Sequence, residues 1–452
     1  MSSTNTTGTA SFDRTLGLRS LVLFGLAYLT PMIVLGIFGV IATASQGASA
    51  SAYLIALIAM LFTAASYGRL SARFPVSGSA YTYVAEAIDG RVGFFVGWAV
   101  LLDYLFLPMV IWLIGASYLS VAVPGVPSFV WIIAFALVTS VLNIVGIKVA
   151  DRVNFVLMAF QFLVIGCFVA LSIGHVLSGG GTGTLVSAVP FTGPDAPIEA
   201  VIGAAAIAAY SFLGFDAVTT LTEETREPAK TMPRAILLIA LIGGLIFIVV
   251  TYFTQLVHPG GEFADEASAA SEIARIIGGD LFTSLFIAGL IIAQFTSGLA
   301  AQASGSRLLY AMGRDGALPR RVFGVLHRTF KTPIWSICIV GVVGAIAMFM
   351  DVSTSTSFVN FGAFIAFAMV NVSVIMLAVR KRDQEPIHLL RDVIFPTIGA
   401  LVIIGLLTQL DSHALVIGGI WVTIGLIVLG ALTGGFRHQP PKVSSEEFGN
   451  AG

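Results

Sequence analysis

Twelve apolar runs follow one another along this chain. They lie at about 20–44, 51–71, 93–121, 128–147, 153–174, 200–221, 235–257, 281–305, 334–350, 358–379, 393–410 and 414–433. Most are close to the roughly 20 residues that an α-helix needs to cross the hydrocarbon core of a bilayer. In that medium every backbone N–H and C=O must be bonded within the protein, so runs of this length predict helices. Only 10% of the residues are charged and 57% are hydrophobic, whereas an ordinary soluble domain carries about 25% charged residues. The expectation is an all-α integral membrane protein with about twelve transmembrane helices.

Net charge is −1, so bulk charge says nothing about partners. The distribution of charge says more. With the N-terminus placed in the cytoplasm and the runs alternating, only Arg275 of the 23 Lys and Arg residues falls outside. This satisfies the positive-inside rule and predicts both termini on the cytoplasmic side. The first run follows a short polar tail without a small-residue cleavage site, so it reads as a span and not as a signal peptide. The predicted organisation is a tail at 1–17, one transmembrane domain at 18–434 and a second tail at 435–452. Cys167 and Cys338 each lie inside a run and read as core filler.

Two runs are interrupted. The sixth carries Gly214 and Asp216 within Tyr210-Ser211-Phe212-Leu213-Gly214-Phe215-Asp216. Glycine weakens a helix interior by about 1 kcal/mol, and a carboxylate near the bilayer centre costs about 2.5–3.5 kcal/mol on insertion scales. The first carries Thr30-Pro31-Met32, where Pro31 removes a backbone donor. Each break is preceded by Ala-Tyr, at Ala27-Tyr28 and Ala209-Tyr210. Broken helices at corresponding places in two halves point to a transporter binding site. The breaks lie five spans apart, which divides the chain into repeats of about 18–174 and 198–380 and two extra helices at about 391–434. An odd number of spans per repeat makes the second inverted. A third polar intrusion is Asp103, twelve residues after Arg91, or about 18 Å of helix and mid-depth. The stretch Phe74 to Tyr83 is too polar to span and reads as a short re-entrant or interfacial segment.

These words resemble the amino acid–polyamine–organocation superfamily. The matching residues are Phe74-Pro75 to Tyr83, Phe212-Leu213-Gly214-Phe215-Asp216, Glu223-Glu224-Thr225 with Pro228 and Pro233, and Arg307 to Pro319 with Thr332-Pro333. Gly25 to Met32, Gly97-Trp98, Leu102 to Pro108 and Ser211 to Thr220 are similar to bacterial putrescine importers. The resemblance implies a LeuT-like 5+5 inverted repeat plus two C-terminal helices, in a bacterial-type plasma (inner) membrane. It also implies alternating access and uptake driven by the proton gradient.

Amino-acid permeases of this superfamily tend to receive the substrate carboxylate on free N–H groups of a Gly-Ser-Gly-like word at the first break. Here that word is Thr30-Pro31-Met32, which favours a substrate without a carboxylate, a putrescine-like amine. Asp103 and Asp216 are the expected counter-ions. For Asp216 the competing reading is a cap on the half-helix that begins after Gly214, and for Asp103 it is interhelical bonding. Tyr104, Tyr210, Phe212 and Phe215 are candidates for cation–π contact or for plain packing. Glu86, Glu223 and Glu224 are expected near the cytoplasmic face with Arg226, Arg234 and Arg307, as gate or surface ion pairs.

None of the six histidines lies mid-span, so proton coupling would fall to a carboxylate such as Asp216. Many proton-coupled relatives carry a Lys on the fifth span, where this chain has Gln161. Thr296 and Ser297 on the eighth offer hydroxyls to Na⁺ or to neighbouring helices. The chain has no phosphate loop, paired His ligands or Cys cluster, so no enzyme activity, metal, cofactor or nucleic-acid partner is expected. The alternative within transport is an amino-acid permease or an amine/amino-acid exchanger.

Overall fold

The computed structural model describes residues 14–75, 80–146, 151–314, 316, 318–380 and 386–440, with only the backbone described at 151–154, 223 and 311. The helices are α1 (Leu18–Leu29), α2 (Ile33–Gly36), α3 (Phe38–Ala44), α4 (Ser49–Arg73), α5 (Ala80–Ala87) and α6 (Gly90–Ala122). They continue with α7 (Ser128–Val145), α8 (Asp151–Leu177), α9 (Val189–Thr192), α10 (Ile198–Ala208), α11 (Pro228–Val257) and α12 (Ala269–Arg314). The last are α13 (Arg320–Phe323), α14 (Ile334–Gly344), α15 (Val352–Arg380), α16 (Phe395–Leu407) and α17 (Ser412–Leu432). Among the described residues no strand forms; the extended pairing is an isolated parallel bridge between Leu16 and Thr225.

Among the described residues, eleven helical stretches are long and apolar enough to cross a membrane, and a shorter apolar one, Ile334–Phe349, stands at the ninth run. Only 17% of the apolar stretch of α17 and 22% of that of α7 is buried, against 72% for α6. Helices α7 and α17 therefore lie at the periphery with α6 at the centre. Apolar side chains such as Leu137 and Ile427, 61% and 67% exposed, form an outer surface suited to lipid.

Polar contacts register the helices around α6. Trp98 of α6 and Trp421 of α17 stack with centroids 5.1 Å apart, and each indole N–H donates to the other's backbone carbonyl, at 3.0 and 2.9 Å. Asn371 of α15 accepts from Ser66 at 2.6 Å and donates to Thr63 at 3.1 Å, which ties α15 to α4.

Both expected interruptions are present. Helix α1 stops at Leu29, Thr30 is left-handed with φ 49°, and α2 begins after Met32. Helix α10 tightens into a 3-10 turn at Ala209–Phe212; Leu213 is extended, Gly214 has φ 98°, and a second 3-10 run follows at Ala217–Glu224. The α half-helix expected after Gly214 is thus a 3-10 run. Its threonines explain the tightening: Thr219, Thr220 and Thr222 donate to carbonyls three residues back, at 2.7, 2.7 and 2.6 Å. Residues 76–79 of the expected re-entrant segment lie outside the described residues. From Ala80 the chain forms the short helix α5, which packs on α6 and α15.

Candidate functional site

The two breaks meet. A Cβ placed on Gly214 would stand 2.2 Å from the Tyr28 ring, so the chain passes Tyr28 only because residue 214 has no side chain. Beside this contact lies a cavity of about 40 Å³. Its walls come from Tyr28 of α1, Tyr67 of α4, Asp103 and Tyr104 of α6, Gly214 and Asp216 of the second break, and Phe367 of α15. The described lining residues include two acids and no base.

Each wall follows from local sequence. Pro108 lies inside α6 and withholds the N–H that would bond the Tyr104 carbonyl. Gly305 of α12 approaches that carbonyl so closely that a Cβ would stand 2.5 Å from it. Asp103 has a buried carboxylate oxygen, Oδ1, with no hydrogen-bond partner among the described residues. Asp216 opens the second 3-10 run, yet its side chain accepts no capping bond there. The capping alternative to a substrate role is therefore not how its side chain is used in this conformation. The second break is held from outside: Tyr53 and Ser211 hydroxyls lie 3.0 Å apart, and Asn360 Nδ2 donates to the Ala206 carbonyl at 2.8 Å.

Four of the residues expected at the site, Asp103, Tyr104, Gly214 and Asp216, border this cavity. Thr30, Pro31, Met32, Tyr210, Phe212 and Phe215 are not among its lining residues. Met32 is fully buried, with its methyl 3.3 Å from the Cβ position of Gly289 in α12. Phe212 packs edge-on against Phe247 of α11 at 5.2 Å, and Phe215 lies behind the wall against Tyr67 and Phe367, at 5.6 and 5.4 Å. Tyr210 is buried at the end of α10.

Three lining rings were not singled out in the sequence: Tyr28, Tyr67 and Phe367. For Tyr28 the signal was the Ala-Tyr repeated before each break. Tyr67 and Phe367 sit in uninterrupted runs, where an aromatic residue is indistinguishable from core.

Glu86 is exposed on α5, and Glu224 lends its carbonyl to the N–H of Leu16 at 3.0 Å. The side chain of Glu223 lies outside the described residues. Arg234 is exposed and Arg307 half-buried. Ion pairs near the helix ends include Arg69–Asp392, Arg91–Asp89 and Lys230–Glu227. Thr296 bonds back within α12, at 2.9 and 3.1 Å, and Gln161 is buried with Oε1 unpartnered among the described residues. A larger cavity, about 330 Å³, lies near the start of α12 between Ser117, Asp265, Glu272 and Arg275. It is remote from both breaks, and Asp265 is engaged there in capping the turn that leads into α12.

Among known proteins, the family described as amino acid permease matches residues 21–429. The low-affinity putrescine importer PlaP of Escherichia coli (strain K12) is 39% identical over 442 residues, covering 97% of this chain and 98% of that protein. The branched-chain amino acid permease BcaP of Bacillus subtilis (strain 168) is 27% identical over 447 residues, 94% of each chain. The methylthioribose transporter of the same organism is 27% identical over 441 residues, 92% of this chain and 93% of that one. On the match to residues 21–429 and the likeness to PlaP across nearly its whole length, the chain belongs to the amino acid permease family of the amino acid–polyamine–organocation superfamily.

Proposed function

We propose that the protein imports a small dicationic amine, putrescine or a close relative, by alternating access coupled to protons. The observation that carries this reading is two half-buried carboxylates, Asp103 and Asp216, lining one cavity without a basic side chain among the described lining residues. A buried charge needs a partner, and an ammonium supplies one. Helix α1 and the α10–3-10 stretch both run into the breaks with their C-terminal ends, whose partial negative charge favours a cation. Pro31 lacks the N–H that would help to hold a carboxylate. The 39% identity to a putrescine importer supports the same substrate class.

The remaining assignments belong to this reading. The breaks in the first and sixth spans mark two inverted repeats, at about 18–174 and 198–380, with both termini in the cytoplasm of a bacterial inner membrane. Glu86, Asp216 and Glu223 are the candidate coupling or gating acids, and Asp216 carries the proton. The protein is a carrier and not an enzyme.

The test is uptake of labelled putrescine into proteoliposomes, with an imposed pH gradient and with or without Na⁺. Uptake that follows the pH gradient, is indifferent to Na⁺ and loses its pH dependence in Asp216→Asn is the expected result. Uptake that requires Na⁺ would remove the proton and shift attention to Thr296 and Ser297. Uptake accelerated only by internal substrate would make the protein an exchanger.

A further inference from the structure

Tyr67 borders the cavity, is fully buried, and its hydroxyl makes no hydrogen bond among the described residues. An unbonded hydroxyl inside a protein is costly, so such groups are rare and call for an explanation. The ring itself cannot turn away. It is wedged edge-on against Tyr83, Phe215 and Phe367, with centroids 6.1, 5.6 and 6.0 Å away. The helix that carries it is fixed next door by the Ser66–Asn371 hydrogen bond of 2.6 Å. The hydroxyl therefore has a set position, in the lining that it shares with Asp216. Arg73, which ends α4, lies six positions on from Tyr67, about 9 Å of helix.

An ammonium has three N–H donors and needs three acceptors, more than one carboxylate offers along separate directions. A phenol oxygen accepts a hydrogen bond while its own proton remains free to donate to a carboxylate. Resting on the amine reading above, we propose that Tyr67 binds substrate: its Oη accepts from the primary ammonium whose charge Asp216 balances. Tyr67 then selects for an N–H-bearing cation at that end of the site, which neither aromatic packing nor a lone carboxylate would do.

The experiment is putrescine binding to purified full-length protein in four forms: wild type, Tyr67→Phe, Asp216→Asn and the double variant. Tyr67→Phe keeps the ring and removes only the unbonded oxygen, so its thermal midpoint should equal or exceed that of wild type. Its Kd for putrescine should rise about tenfold or more, as for loss of a hydrogen bond to a charged group. In the Asp216→Asn background the same change should matter much less, because both residues hold one ammonium. An unchanged Kd, an equal fold-change in both backgrounds, or a marked loss of thermal stability in Tyr67→Phe would each overturn the assignment. Wild-type protein that binds no putrescine would instead sink the amine reading itself.

Discussion

Asp103 and Asp216 were legible in the sequence because each is a charge in a run that otherwise has none. The bilayer makes such residues expensive, so their presence signals use. The structure brings both to the lining of one cavity. The aromatic partners were legible only in part, because Tyr and Phe are at home in any buried helix and period alone cannot say which face meets a cavity. Phe212 and Phe215 flank Gly214 in sequence, yet one turns to Phe247 and the other sits behind Tyr67. At this scale the expected result for Asp103→Asn is a loss of about a hundredfold or more in putrescine affinity, the order set by about 3–5 kcal/mol for breaking a buried charge pair. A monoamine of similar length should lose far less. Isothermal titration of both ligands checks this, and equal losses would mean that Asp103 does not read the second charge.

Breaks were the most legible elements and their inner geometry the least. Pro31 and Gly214 announce where a helix cannot continue; they do not say that three threonines will draw the continuation into a 3-10 run. Nor does the sequence say that Tyr28 will fill the space that Gly214 leaves. That contact makes Gly214 the most constrained position in the second break. Gly214→Ala would place a methyl 2.2 Å from the Tyr28 ring, at φ 98°. A left-handed conformation alone costs a residue with a Cβ about 1–2 kcal/mol. The variant should insert in the membrane and lose nearly all uptake, and Tyr28→Ala should recover part of it by reopening the space. Full activity in Gly214→Ala would show that the break relaxes without reference to Tyr28. The kink of α12 at Gly279, φ 66°, falls just before the eighth run, which was expected to start at 281.

Across the whole molecule, the number and order of spans could be read because apolar length and charge asymmetry are properties of the chain alone. How the ends are tied down could not. The N-terminal segment pairs with the end of the second 3-10 run through Leu16, which donates to Glu224 and accepts from Arg226 at 3.0 and 2.9 Å. The C-terminal segment returns to the start of α6, where Gln439 Nε2 donates to Asp89 at 3.0 Å. That bond, with the backbone N–H and charge of Arg91, holds the Asp89 carboxyl below its ordinary range. The contact should therefore persist at neutral pH and loosen only as pH falls through that lowered value. Both ties join ends that the charge pattern assigns to one side. With Cys167→Ser and Cys338→Ser as background, single cysteines placed in 180–195 and 262–270 should react with an impermeant thiol reagent added to intact cells. Cysteines in 320–330 should not, and reaction there would reverse the orientation.

The central claim is that the site recognises a dication without a carboxylate. The most direct measurement is displacement of labelled putrescine from purified protein by unlabelled putrescine, ornithine and leucine under one set of conditions. Putrescine should displace best. Ornithine should follow weakly, because its carboxylate enters a cavity lined by two acids, and leucine should not compete. Tighter binding of ornithine or leucine than of putrescine would contradict the account and make the protein an amino-acid carrier.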